Sequence, residues 1–287
     1  MKPAARLRAL LHKPDMVIAP GAWDGITARL VEQAGYDAVY MTGAGTSLAR
    51  GFPDFGLLTM NEMVENAATM ARTVAIPLIA DADTGYGNEL NVTRTVREFE
   101  ARGVAGVHIE DQASPKRCGH LDGKEIIPAP QFVSKICAAV AARRDPDFLI
   151  IARTDSRAVA GFDEAIARAN EALKAGADMA FVEAVQTQEE LAEVPKRVKG
   201  PCLLNIVPGG KTPRVSFAEA QALGYRLTIL PGLLLGAVMI SADKALRATK
   251  ENGITPEAPR AASVADTFRR FGADEWNALR QNFAADR

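Results

Sequence analysis

Cysteine is scarce in this chain, with Cys118, Cys137 and Cys202 the three present. An odd, sparse set argues against a disulfide framework and reads as reduced thiols in a cytoplasmic protein. An excess of one charge is also missing, since the formal net charge is -1. Nucleic acid and anionic membranes call for a basic face, so neither is expected as a partner. A small anionic substrate needs only a few local cations and stays open. No stretch approaches the ~20 apolar residues of a membrane span. Met1 to Pro14 carries Leu7, Leu10 and Leu11 among Lys and Arg, without the continuous apolar run of a signal peptide. No G-x-G-x-x-G turn follows the first apolar run. Gly209-Gly210-Lys211-Thr212 lacks the spacing of a phosphate loop, so nucleotide binding is not expected.

What is present is hydrophobic bulk with a rhythm. Hydrophobic residues are 48% of the chain and charged residues 24%, enough for a large core. An amphipathic segment ends in Ala or Arg then Gly, and a short apolar run follows. Gly35 precedes Ala38-Val39-Tyr40-Met41, and Gly103 precedes Gly106-Val107-His108-Ile109. Gly176 and Gly224 repeat the pattern ahead of Met179 and Leu227. Glycine suits the left-handed residue just past a helix. An unbroken apolar run suits a strand buried on both faces. Candidate strands begin near Met16, Ala38, Pro77, Gly106, Phe148, Met179, Cys202 and Leu227. Eight strands alternating with helices predict an α/β fold of the (β/α)8 TIM barrel type.

The barrel is expected over residues 1–250, with a linker and a C-terminal helical segment over 251–287. The linker reading rests on Asn252 to Ala262, with Pro256 and Pro259. Phe268, Phe271, Trp276, Leu279 and Phe283 then recur at roughly helical spacing. Such a stripe either closes the barrel's own surface or packs on a neighbouring subunit.

In such a barrel the site lies at the C-terminal ends of the strands. Those ends carry Thr42-Gly43-Ala44, Asp81-Ala82-Asp83, Glu110-Asp111, Arg153-Thr154-Asp155, Glu183, Asn205 and Pro231. Asp81 and Asp83, two apart on a strand, share a face. Asp-x-Asp also caps loops. With Glu110 on the next strand and no cysteine or histidine cluster nearby, an all-oxygen site for Mg2+ or Mn2+ is the better reading. Asp54, in the loop after the second strand, is within reach of the same place. Cys118 lies in Lys116-Arg117-Cys118-Gly119-His120, a positive setting expected to lower its pKa. His120 is expected to play a polar role there. His108 reads as a satisfied core histidine, His12 as a surface one, and Cys137 and Cys202 as inert core thiols. Tyr86 between Gly85 and Gly87 reads as part of a flexible rim.

The runs Asp81-Ala82-Asp83-Thr84-Gly85-Tyr86-Gly87, His108-Ile109-Glu110-Asp111-Gln112, Lys116-Arg117-Cys118-Gly119-His120 and Ile151-Ala152-Arg153-Thr154-Asp155 together resemble the isocitrate lyase and phosphoenolpyruvate mutase superfamily. The likeness covers most of the chain, and the Lys-Arg-Cys-Gly-His loop fits its carbon–carbon lyase branch. The resemblance implies a magnesium-dependent lyase and a homotetramer whose subunits exchange C-terminal helices. It implies that Asp81 is the nearest metal ligand, with Asp54, Asp83 and Glu110 acting through water. Thr42 and Gly43 would bind one carboxylate, Arg153 would stabilise an enolate oxygen, and Glu183 and Asn205 would line the other half of the substrate. Ala44, Lys116, Gly119 and Pro231 join them as candidate substrate contacts. Cys118 is the expected general acid, with Tyr40 a weaker candidate base and His120 a further catalytic candidate. The expected reaction splits a 2-methylisocitrate-like acid into pyruvate and succinate. Its alternatives are 2,3-dimethylmalate cleavage, oxaloacetate decarboxylation, phosphonate mutase-type chemistry, or a barrel that binds a dicarboxylate without turnover. The loop Asn205-Ile206-Val207-Pro208-Gly209-Gly210 is nearer the dimethylmalate lyase type.

Overall fold

The computed structural model describes residues 1–256 and 263–283. The short apolar runs become eight parallel strands: β1 Val17–Ala22, β2 Val39–Met41, β3 Leu78–Asp81, β4 Gly106–Glu110, β5 Leu149–Thr154, β6 Met179–Val182, β7 Cys202–Asn205 and β8 Leu227–Leu230. They pair in chain order, and β8 closes on β1 with Val17 opposite Leu227 and Pro20 opposite Leu230. Each strand starts within one residue of its predicted position. Ile18 aside, every strand residue is buried, as a parallel sheet covered on both faces requires.

Helices enter and leave the strands at local signals. Asp24 caps Gly25–Gln33, and Thr59 with Glu62 forms a capping box on Met60–Thr73. Gly35, Gly103, Gly176 and Gly224 turn the chain after their helices at φ of 85°, 81°, 103° and 107°. Only glycine takes such angles without a Cβ clash.

The barrel is filled in two storeys. At the lower end the helix Pro3–Leu11 inserts Leu7 and Leu10 among Ala38, Ala105, Leu149 and Leu227. Higher up lies a layer of rings. Tyr40 and His108 stack at 5.7 Å, and His108 meets Phe181 edge-on at 5.6 Å. The Arg153 guanidinium lies 5.2 Å above the Phe181 ring. This layer is the floor of the polar site.

Behind the floor, Asp111 ties three elements together. It accepts hydrogen bonds from Thr154 Oγ1 at 2.6 Å, Asp155 N at 2.8 Å and Arg168 Nη1 at 3.1 Å. Asp111→Ala leaves the buried Arg168 without its inner carboxylate. The expected loss is about 3–5 kcal/mol, seen as a lower urea midpoint with an unchanged m-value. A midpoint equal to the parent's would show that Glu164, also paired with Arg168, suffices alone.

One cysteine departs from expectation. Cys137 is exposed, because the buried face of helix Ala129–Ala142 is set by Phe132, Lys135, Ile136 and Ala139. Cys202 is buried as expected, and burial pushes its thiol up to about 12. His12 is exposed.

The chain divides into two compact units, Met1–Leu235 and Gly236–Arg287, with the divide inside the helix Leu233–Asn252. In the second unit Val238, Met239, Ile240, Leu246, Phe268 and Trp276 are exposed. Pro259 and Ala262 of the expected linker lie outside the described residues. Among the described residues no helix is long and apolar enough to cross a membrane.

Candidate active site

The strand ends bring most of the expected residues to one place. Asp81 closes β3, and its Oδ1 accepts the Asp83 N–H at 2.9 Å. Gly43 must be glycine here, because a Cβ would lie 2.4 Å from Asp81 Oδ2. Arg153 grips Asp155 with two bonds, Nε to Oδ2 at 3.0 Å and Nη2 to Oδ1 at 3.2 Å, and stands 3.2 Å from Glu110. Asn205 Nδ2 donates to both oxygens of Glu183 at 3.2 Å. Three non-glycine residues at these ends take left-handed φ, Asp83 at 46°, Tyr86 at 61° and Ala184 at 54°. Strain of this kind collects at working sites. Tyr86, expected on a flexible rim, turns its hydroxyl into buried space.

His108 is wholly buried, as read, yet it is not idle core. Its Nε2 is 2.8 Å from the Tyr40 hydroxyl, which donates to Asp81 Oδ2 at 3.3 Å. Burial holds the imidazole down at about 4, so it is neutral near pH 7. Burial, reinforced by Asp81, pushes the Tyr40 phenol well above its usual range. Tyr40 is therefore a hydrogen-bond donor here, against the expectation of a base.

The Cys118 loop is seated at several points. Cys118 N donates to Asp54 O at 3.1 Å, and Gln112 clasps the Arg117 backbone at 2.8 and 2.9 Å. Lys124 holds Gly119 O. A Cβ on Gly119 would fall 2.4 Å from Glu183 and 2.5 Å from Arg153, so only glycine lets the loop come down this far. His120 Nδ1 accepts the Lys211 N–H at 3.0 Å, leaving Nε2 to face Glu183 at 3.2 Å. The expected positive field does not reach the thiol. Arg117 lies over the Phe55 ring at 5.5 Å, and Lys116 turns toward Asp54 and Asp83. Burial, with Asp54 adding to it, pushes the Cys118 thiol up rather than down. The thiol keeps its proton at neutral pH.

Sequence reasoning placed Asp155 at its strand end without giving it a role, and missed Lys124 as part of the site. Lys124 stands 3.3 Å from Asp155, which in turn aims Arg153. The spacing Arg153-Thr154-Asp155 on one strand was the available signal.

Carboxylates outnumber cations. Asp54, Asp81, Asp83, Glu110, Asp155 and Glu183 surround Lys116, Lys124 and Arg153. Neither oxygen of Glu110 receives a hydrogen bond, and burial, opposed by Arg153, pushes its carboxyl up. Burial also pushes Asp83 up to about 6 against the pull of Lys116, with Asp81 and Asp54 adding to the rise. Among the described residues no three such side chains already converge as a ready metal cage. The donors are all hard oxygens with negative charge in excess, which suits a divalent cation that keeps several waters.

A cavity of about 220 Å³ lies above the floor. Asp81, Arg153, Thr42 and Cys118 are among its lining residues. Ala44, Val207, Pro231 and Leu235 add apolar lining, and Asn205 and His120 add polar groups. Lys116 is not on its wall; it borders a second cavity of about 400 Å³ beside Asp83 and Tyr86.

A closed parallel barrel with its polar side chains gathered at the strands' C-terminal ends is the build of a barrel enzyme. A family model described as phosphoenolpyruvate phosphomutase matches residues 7–250. The 2,3-dimethylmalate lyase of Eubacterium barkeri is 50% identical over 232 residues, 80% of this chain and 80% of that protein. The 2-methylisocitrate lyase of Aeropyrum pernix is 43% identical over 252 residues, 88% of this chain and 81% of that one. A crystal structure of 2,3-dimethylmalate lyase matches with a TM-score of 0.94 at 40% identity, covering 99% of this chain and 97% of that one. Phosphonopyruvate hydrolase, solved with oxalate and Mg2+, matches with a TM-score of 0.89 at 31% identity and 99% coverage of both chains. The chain belongs to the phosphoenolpyruvate mutase/isocitrate lyase superfamily. Within it, the chain is a carbon–carbon lyase.

Proposed function

We propose that this lyase cleaves the C2–C3 bond of a substituted malate of the 2,3-dimethylmalate kind, giving pyruvate and a short monocarboxylate. One observation carries the choice: the cavity's lining includes an apolar part, contributed by Val207, Pro231 and Leu235. An alkyl group suits that lining, and a further carboxylate would be desolvated against it without a cation. The second reading is 2-methylisocitrate, cleaved to pyruvate and succinate. Its support is the Asn205–His120 pair, 3.4 Å apart, whose N–H groups face Glu183 and would be shared with another carboxylate.

Asp81, Asp83, Asp54 and Glu110 would hold Mg2+, or Mn2+ with the same oxygen preference. When bound, the cation stabilises oxygen charge as a Lewis acid. The rest falls to the chain. Thr42 and the backbone of Gly43 and Ala44 bind the carboxylate of the pyruvate-like half. Arg153, aimed by Asp155, stabilises the oxygen that becomes the 2-oxo group. Tyr40 donates toward Asp81 and orients it. As C2–C3 breaks, the C2 hydroxyl gives its proton to a carboxylate of the cluster and becomes the 2-oxo group. The electron pair of C2–C3 moves to C3, and Cys118 delivers a proton there. Glu183, Asn205, Gly119 and His120 shape the place where the departing half sits. The exposed apolar residues of helices Leu233–Asn252, Val264–Arg269 and Ala273–Asn282 support a homotetramer with exchanged C-terminal helices, and a cytoplasmic location goes with this chemistry.

The test is 2-oxo acid release from 2,3-dimethylmalate, 2-methylisocitrate and isocitrate. With Mg2+, 2,3-dimethylmalate is expected to lead in kcat/KM by about tenfold or more. EDTA is expected to abolish turnover, and Mg2+ or Mn2+ to restore it. A preference for 2-methylisocitrate selects the second reading. Oxaloacetate decarboxylation or phosphonate chemistry with no cleavage of any 2-hydroxy acid would sink both readings, as would no turnover at all.

A further inference from the structure

Among the described residues, buried side-chain oxygens and nitrogens without a hydrogen-bond partner gather in one place. Arg29 Nε aside, they belong to Asp83, Tyr86, His108, Glu110 and Asn205, at the strand-end site or on its floor. An orphaned buried polar group destabilises a protein, and each one kept calls for an explanation. Orphaned carboxylate oxygens have one in the cation of the reading above. Tyr86 is different. It is neutral, it is no ligand in that reading, and it lies off the wall of the substrate cavity.

The backbone is bent out of its usual range to place that hydroxyl. Tyr86 takes φ 61° between Gly85 at 79° and Gly87 at 146°. A side chain this bulky rarely accepts a left-handed φ. The turn has no slack in which to relax. A Cβ on Gly85 would lie 2.5 Å from Val92 Cγ2, and one on Gly87 2.3 Å from Asn91 Oδ1. Gly85 N donates to Ala82 O at 2.9 Å, and Thr95 Oγ1 donates to Gly85 O at 3.2 Å. The turn is also stitched to the next carboxylate, since Glu110 N donates to Asp83 O at 2.9 Å. Held this way, the Tyr86 hydroxyl lies in the field of Asp83 and Asp81 yet bonds neither.

A phenol oxygen can accept one hydrogen bond and donate another. A small divalent cation keeps several waters, and their hydrogens need acceptors. Tyr86 offers a neutral acceptor that can hand its own hydrogen on to a carboxylate. The cavity of about 400 Å³ lined by Asp83, Thr84, Tyr86 and Ser114 gives room for water on this side.

We propose that Tyr86 helps to hold the divalent cation through water: its hydroxyl accepts a hydrogen from a water of the cation's shell and donates its own to Asp83. Tyr86 is then a positioning residue that acts through Asp83 and that water, touching neither metal nor substrate. The hydroxyl destabilises the metal-free protein and stabilises the loaded one. Its removal should therefore act on the two states with opposite sign.

The inference rests on the proposed metal site, so the experiment separates the two. Mn2+ binding to the parent protein is measured directly by electron paramagnetic resonance. Absence of binding refutes the metal reading and the part given to Tyr86 with it. With binding established, Tyr86→Phe removes one oxygen and keeps the ring. This variant is expected to bind Mn2+ about tenfold or more weakly, the loss typical when a hydrogen-bond partner of a metal ligand is removed. Its urea midpoint without metal is expected at or above the parent's, because an orphaned buried hydroxyl has gone. At one fixed Mn2+ concentration the rise in midpoint should be smaller in the variant than in the parent. An Mn2+ affinity within about twofold of the parent's overturns the inference and leaves the metal reading standing. A metal-free midpoint clearly below the parent's overturns it as well, since the hydroxyl would then serve the fold.

Discussion

Cys118→Ala is expected to lower kcat on the preferred substrate by about 10²–10⁴-fold, the contribution of a positioned acid. The melting temperature and Mn2+ affinity of the variant should match the parent's. Burial, with Asp54 close by, pushes the thiol up, so Cys118 enters the cycle protonated. The carbanion left at C3 needs that proton, and alanine has none to give. The pH profile carries the same sign. Activity needs the protonated thiol, and the folded protein holds the proton more tightly than a free cysteine does. The alkaline limb of kcat should therefore fall above the free-thiol value of about 8.5. Retention of more than a tenth of kcat in Cys118→Ala, or a limb below the free-thiol value, would remove Cys118 from this role.

Arg153→Lys should cost about 10²–10³-fold in kcat, the loss seen when one donor to a developing oxyanion is removed. Charge alone is preserved in this change, so geometry is what is tested. The guanidinium is held at 3.0 and 3.2 Å by Asp155 and lies over Phe181. Lysine cannot make the paired bond or lie flat on the ring. An effect confined to KM would mean that Arg153 only binds substrate, and a kcat within about threefold of the parent would mean that positive charge suffices.

Much of this site was legible in the sequence because strands make it so. A strand end is a fixed address, and Asp81, Glu110, Arg153, Glu183 and Asn205 lie at or just past theirs. Loops and helices were harder. Lys116 and Arg117 flank Cys118 in sequence, yet one turns to carboxylates and the other to a ring, so neighbours in the chain misjudged the thiol's surroundings. Cys137 has Ile136 and Ala138 beside it, but helical period puts Ile136 inside and Cys137 outside. His108 was placed correctly in the core. Its bond to Tyr40 joins β4 to β2, a contact that no local pattern records. The apolar lining draws on Ala44, Val207 and the stretch from Pro231 to Leu235, and only the closed barrel gathers them.

The ring layer of Tyr40, His108 and Phe181 has a consequence for how such a protein can change. It is a bulkhead. Below it, Leu7 and Leu10 and the strand starts determine whether the chain survives heat and dilution. Above it, the strand ends and their loops determine what is turned over, with Asp111 behind them also holding the fold together. Where a lower and an upper position share no contact, their substitutions should add independently. A lineage, or an engineer, can spend stability gained below on new loops above, and retune the substrate without rebuilding the barrel.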